Sequence, residues 1–234
     1  MPIPWIEDSD DCFPPVDSAL VEPNGLLAVG GDLSAPRLLS AYKQGIFPWY
    51  EAGQPVLWWS PNPRMVLRPG QMRISRSLSR LIRKHPFTIT MDEAFQDVVR
   101  HCAASRRGAK GTWITAEMQT AYAGLHAAGY AHSIEVWSKH KLVGGLYGIA
   151  LGKIFFGESM FSDVSNASKL AMAYLTHQLH LWDFRLMDCQ VSSAHLLSLG
   201  AVEISRAAFQ EQLQQFAKIE GSAGKWQLQS DLSS

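Results

Sequence analysis

Cysteine is scarce. The 234 residues hold three, Cys12, Cys102 and Cys189, widely spaced and never as CxxC. That pattern argues against a disulfide framework or a zinc knuckle and fits a reducing cytosol. No apolar run approaches the ~20 residues of a membrane-spanning helix. The opening MPIPWIEDSDD has neither the basic nor the apolar region of a secretory signal. The formal net charge is +0, which does not indicate a globally basic nucleic-acid binder but leaves room for a local patch. No GxSxG occurs, so the usual serine-nucleophile turn is missing. His177 and His180 stand three apart in a helical pattern without a third ligand spaced nearby, which favours satisfied or surface histidines over a metal site.

A further absence is local. Between Glu51 and Asp92 there is no acidic residue, yet Arg64, Arg68, Arg73, Arg76, Arg80, Arg83 and Lys84 fall there. On a helix over 73–84 at ~100° per residue, the five basic residues from Arg73 onward share about a third of the circumference. Ile74, Leu78, Leu81 and Ile82 take the other side. Two readings stay open: a solvated charged face, or a short row that meets a few phosphates of one RNA arm.

Tryptophan and proline are plentiful, eight and twelve, and crowd the first third of the chain. Residues 1–63 read as a small, turn-rich, irregular N-terminal domain with one helix, Ser34 as its cap and Pro36 just inside it. Residues 64–234 read as the second domain. Helices are predicted over MDEAFQDVVRHCAAS and, after a basic loop SRRGAKGTW, over ITAEMQTAYAGLHAAG, with Thr115 as N-cap and Gly129 as stop. HSIEVW, LVGGLYGIAL and KIFFGESMF form a strand meander. A helix opened by Asn166, a strand FRLMDCQV, a short helix, a strand AVEIS and a last helix from about Arg206 follow, and then a polar, frayed tail after about Glu220. This α/β (α+β) order is that of a GNAT-like, acetyltransferase-type domain.

In that fold a glycine-rich loop after the meander cradles the coenzyme A pyrophosphate. Here the loop is FSDVSNASK, without glycine and with Asp163, which disfavours acetyl-CoA chemistry. What remains is polar groups in apolar strands: Glu158 in FFGESMF, and Asp188 with Gln190 in MDCQV. Alternation puts Asp188 and Gln190 on one face and Cys189, as a small core residue, on the other. These groups either form a structural hydrogen-bond network or converge on one cleft. A buried acid is costly without a partner, and no Lys or Arg stands near Glu158 in its strand, so the partner is expected from a cationic ligand.

EPNGLLAVGGDLS, GIFPWY, LWWSPNPR, GTWIT, HSIEVW, GGLYG, FGESMFS, NASK, DCQV and SLGA occur in this order between Phe13 and Arg206. Together they resemble the leucyl/phenylalanyl-tRNA–protein transferase family. The resemblance implies a small N-terminal domain on a GNAT-like domain. It implies transfer of Leu, Phe or Met from aminoacyl-tRNA to the α-amino group of proteins beginning with Arg or Lys, which marks them for the N-degron pathway. It implies a cytoplasmic protein without metal or coenzyme; a monomer is the default. By the same resemblance Asp188 and Gln190 serve peptide-bond formation. Glu158 holds the donor's amino group or the acceptor's cationic end. Trp49, Trp113, Leu146, Phe155 and Met160 line the donor side-chain pocket with Met172, Leu175 and Met187, and Ser162 lies nearby. For Met172 and Leu175 core packing is an equal alternative. Arg76, Arg80, Arg83 and Lys84 face the tRNA. Leu146 and Leu175 stand where Met and Phe are expected, which bears on donor preference. The rival classes are a CoA-dependent N-acetyltransferase and a non-catalytic tRNA-binding module.

Overall fold

The computed structural model describes residues 3–7, 12–84, 86–105, 112–219, 224–229 and 232. Among these, the N-terminal region is more regular than expected. It forms β1 (Trp5–Ile6), β2 (Leu26–Gly30), α1 (Ala35–Lys43), β3 (Phe47–Pro48) and β4 (Leu57–Trp59), with the strands in one sheet of order β1-β2-β4-β3. The strands are too short for alternation to show; cross-strand aromatics hold them instead. Trp58 is fully buried, donates from Nε1 to the Gly30 carbonyl at 2.8 Å and meets Phe13 edge-on. Ser34 occupies the cap position of α1, but its side chain makes no capping hydrogen bond.

The second sheet begins with a strand that the basic stretch conceals, β5 (Arg64–Leu67). After it come α2 (Arg76–Lys84), β6 (Thr88–Met91), α3 (Phe95–Ser105) and α4 (Ala116–Ala127). The helix α2 starts three residues later than expected, because the Ser75 hydroxyl accepts the Leu78 N–H. Ile74 therefore falls outside it and is exposed, while Leu78 and Ile82 are buried. The loop SRRGAKGTW lies largely outside the described residues. Thr115 caps α4 as expected, accepting from Met118 N–H at 3.2 Å, and Gly129 ends the turn at φ +79°.

The meander is present as β7 (Ala131–Ser138), β8 (Lys141–Leu151) and β9 (Ile154–Ser162), followed by α5 (Ala167–Leu181) and β10 (Leu186–Gln190). The chain closes with α6 (Ala194–Ser198), β11 (Val202–Ile204) and α7 (Arg206–Phe216). The sheet order is β11-β5-β10-β9-β8-β7-β6, antiparallel except for β9 and β10, which α5 connects as a parallel pair. This is the acetyltransferase-type α+β order. Helices cover both faces, so the meander strands are buried on both sides instead of alternating. The start of α5 presses onto β8 at Gly144, where a Cβ would stand 2.4 Å from the Ala167 Cβ.

The tail corrects a second expectation. Trp226 is 2% exposed and stacks on the His132 ring at 3.7 Å. Its backbone N–H donates to Asp92 Oδ2 at 2.7 Å, and Gln229 N–H donates to Gln178 Oε1 at the same distance. One aromatic residue in a polar segment suffices to dock it, because Trp182 and Phe184 complete the socket.

Candidate active site

The parallel pair β9–β10 is in register only from Leu186↔Ile154 to Asp188↔Phe156. Just beyond, both strands bulge. On β9, Tyr147 faces Ser159 and the adjacent Gly148 faces Gly157, so Glu158 is the extra residue. On β10, Asp188 faces Val66 and Gln190 faces Met65, so Cys189 is the extra residue. A bulge bends its strand and re-aims a side chain. Two bulges at the same level part the sheet, and a cavity of about 340 Å³ opens in the gap. Phe47, Trp49 and Trp113 wall it on the side of the N-terminal sheet; Leu146, Met172 and Met187 wall it on the side of α5. Ser193, His195 and Leu196, from α6 and the turn before it, stand at its edge. Burial and the Lys169 ammonium hold His195 below its ordinary range.

Glu158 is 8% exposed at this gap. Its neighbours are neutral donors, not a cation: Tyr42 Oη at 2.7 Å, Tyr122 Oη at 2.8 Å and Gln190 Nε2 at 3.2 Å. The two phenol oxygens are 2.5 Å from each other. Three close oxygen pairs need three protons, and the two phenols supply two. The third is present only when Glu158 is protonated. Burial works in the same direction and raises the Glu158 carboxyl from 4.5 to about 7, opposed by the hydrogen bonds from Tyr42 and Tyr122. Desolvation first, and the facing Glu158 next, push both tyrosines well above the usual phenol range, so they remain donors.

Asp188 and Gln190 do not share a face. The bulge replaces the expected alternation, and Gln190 takes φ +59°. Gln190 borders the cavity together with Cys189, whose thiol burial pushes strongly upward, toward the neutral form. Asp188 is fully buried behind them. Arg64 Nε and Nη2 donate to its two oxygens at 2.8 and 2.7 Å, and the Gln190 backbone N–H donates to its Oδ1 at 2.9 Å.

Of the residues expected around the donor side chain, Trp49, Trp113, Leu146, Met160, Met172 and Met187 border the cavity, as does Glu158. Phe155, Leu175 and Ser162 do not. Phe155 is fully buried beneath the sheet surface, in ring contact with Trp226. Leu175 is 1% exposed in the core under α5. Ser162 is exposed, and its hydroxyl accepts from Ser168 N–H and donates to the Val164 carbonyl, tying the loop before α5. Arg76, Arg80, Arg83 and Lys84 are all exposed on α2. The foot of α2 is fixed to the end of α6, where Arg73 N–H donates to the Leu199 carbonyl at 2.8 Å. The helix α6 thus leads from the cavity edge to the basic row. Tyr42, Tyr122 and Arg64 escaped sequence reasoning; the one available signal was the basic residue Arg64 next to the apolar run MVL.

Among the described residues no group of three or more His, Cys, Asp or Glu could hold a metal ion, and no helix is long and apolar enough to cross a membrane. The acetyltransferase-type sheet opens here on a cavity that sets an apolar wall beside an acid and an amide. Comparison with known proteins gives the enzyme class. The family model described as leucyl/phenylalanyl-tRNA protein transferase matches residues 66–214, and the model of that family's N-terminal domain matches 31–62. The leucyl/phenylalanyl-tRNA–protein transferase of Nitrosospira multiformis is 55% identical over 224 residues, 96% of each chain. That of Cellvibrio japonicus is 58% identical over 216 residues, 92% of each. Among solved structures, a GCN5-related N-acetyltransferase from Kribbella flavida is similar at 11% identity and a TM-score of 0.36, over 71% of this chain and 59% of that one. The chain belongs to the leucyl/phenylalanyl-tRNA–protein transferase family.

Proposed function

We propose that this protein moves Leu, Phe or Met from aminoacyl-tRNA to the α-amino group of a protein that begins with Arg or Lys. The new N-terminus marks that protein for N-degron degradation. The enzyme acts in the cytoplasm as a monomer, with residues 1–63 and 64–234 as its two domains. The carrying observation is the apolar cavity in the split sheet, with Glu158 and Gln190 together at its wall.

The donor is an activated ester, so no covalent enzyme intermediate is needed, and positioning supplies most of the rate. The amine nitrogen bonds to the ester carbon, the carbon–oxygen bond to the ribose breaks, and the amine proton passes to the departing ribose oxygen. An α-amino group titrates near 7.7–8.0, so about a tenth or more is neutral at pH 7. A group that orients the amine and relays its proton is enough. Gln190 takes that role at the cavity, and Asp188 orients Gln190 from behind. Glu158, once ionised, pairs with the cationic amine beside the donor side chain. Met160, Met172 and Met187 adapt the pocket to Leu, Phe and Met shapes, with Leu146 and the indoles of Trp49 and Trp113 as its firmer walls. Phe155 and Leu175 act on the pocket as packing beneath it, and Ser162 through the loop that it ties. Arg76, Arg80, Arg83 and Lys84 bind the tRNA backbone. The reaction calls on no coenzyme or metal.

The test supplies labelled Phe on tRNA together with a peptide starting in Arg and another starting in Ala. Label is expected in the Arg peptide alone; label in both equally, or in neither, defeats the reading. An acetyl-CoA enzyme would instead gain melting temperature on adding acetyl-CoA.

A further inference from the structure

We infer that Arg64 is a positioning residue of the transfer reaction: its guanidinium holds Asp188 so that Asp188 keeps Gln190 turned toward the acyl-acceptor site. The inference rests on the aminoacyl-transfer reading and adds to it a residue 124 positions from its partner in the chain.

Arg64 is 1% exposed and does not border the cavity. Its ring-like plane is clamped between Phe47 at 4.9 Å and Phe209 at 4.6 Å, so it has little freedom to turn. From that clamp Nε and Nη2 grip both oxygens of Asp188, the paired geometry that fixes a carboxylate in plane as well as in place. Besides Arg64 Nε, Asp188 Oδ1 accepts from the backbone N–H of Gln190. Gln190 sits at positive φ, a conformation that a side chain bearing Cβ adopts only when its surroundings impose it. Next to it, the bulge at Cys189 has left the ladder. Loss of the Asp188 acceptor would let Gln190 relax toward an extended strand, which points its amide away from Glu158. The chain Arg64–Asp188–Gln190–Glu158 is thus rigid from the N-terminal sheet's aromatic wall to the reaction centre. Arg64 Nη1 has no hydrogen-bond partner among the described residues, so the guanidinium is not placed there to satisfy itself elsewhere.

The experiment compares Arg64→Lys, Arg64→Met, Asp188→Asn and the double variant Arg64→Met/Asp188→Asn as full-length chains. Lysine keeps the charge but not the two-pronged grip, so Arg64→Lys should lose at least about tenfold in kcat. KM for aminoacyl-tRNA should change by no more than about threefold, since ground-state contacts remain. The double variant, freed of an unpaired buried charge, should regain folding stability lost in the single variants without regaining kcat. Undiminished kcat in Arg64→Lys or recovery of kcat in the double variant overturns the inference. A wild-type chain that transfers no label sinks the functional reading instead.

Discussion

Replacing Glu158 by Gln should stabilise the protein while disabling it, and the size of the gain follows from burial. An acid that titrates at 4.5 when unfolded and at about 7 when folded binds its proton more tightly in the native state. Its contribution to stability is complete below pH 4.5 and is lost as pH rises through about 7. At about 1.4 kcal/mol per pH unit the whole span is worth roughly 3 kcal/mol. Most of that falls between pH 5 and pH 8. A glutamine has no such titration; its amide nitrogen donates to one phenol in place of the carboxyl proton while its oxygen accepts from the other. All other titrations are common to the two proteins and cancel in the difference. Urea unfolding at pH 5 and pH 8 should therefore show the variant gaining roughly 2–3 kcal/mol on wild type across that interval. Transfer should fall about tenfold or more at pH 8, where the anion that pairs with the amine is gone. The ratio of wild-type to variant rates should rise with pH through about 7, the amine's own titration being shared. A stability gap equal at both pH values would refute the reasoning, since Glu158 would then not rest protonated in the folded chain.

Reversal of Arg76, Arg80 and Arg83 to Glu should abolish transfer from aminoacyl-tRNA and flatten the salt dependence of tRNA binding. If each meets one phosphate, the log–log salt slope falls by about 2–3, and an unchanged slope removes α2 from the interface. Trp226→Ala should cost about 3–5 kcal/mol in denaturant unfolding, because the indole fills a socket beside His132, Trp182 and Phe184. A cost under about 1 kcal/mol would mean that the tail is not part of the core.

Local pattern carries far along this chain. Thr115 and Gly129 bracket α4 in the sequence as they do in space, and the apolar runs from 131 to 162 give the meander. The odd acid of FFGESMF marks the site, because a carboxyl among aromatics has few uses other than a paired or functional one. Short strands were invisible: β1 and β3 have two residues each, below any period. In β5, Arg64 and the buried run that follows read as part of a basic stretch, although the guanidinium lies inside the sheet.

The sequence by itself determined the helices, the meander, the acyltransferase-type order and, through its ordered motifs, the family. Tertiary structure decided which groups face one another. Bulges at Glu158 and Cys189 reset the alternation that strand periodicity assumes. Tyr42, Tyr122 and Arg64 reach the site across 116, 36 and 124 residues. Periodicity reports only which way a side chain points relative to its own neighbours. The protonation of Glu158 and the aim of Gln190 depend on partners from other elements, and those exist only once the sheet has closed around them.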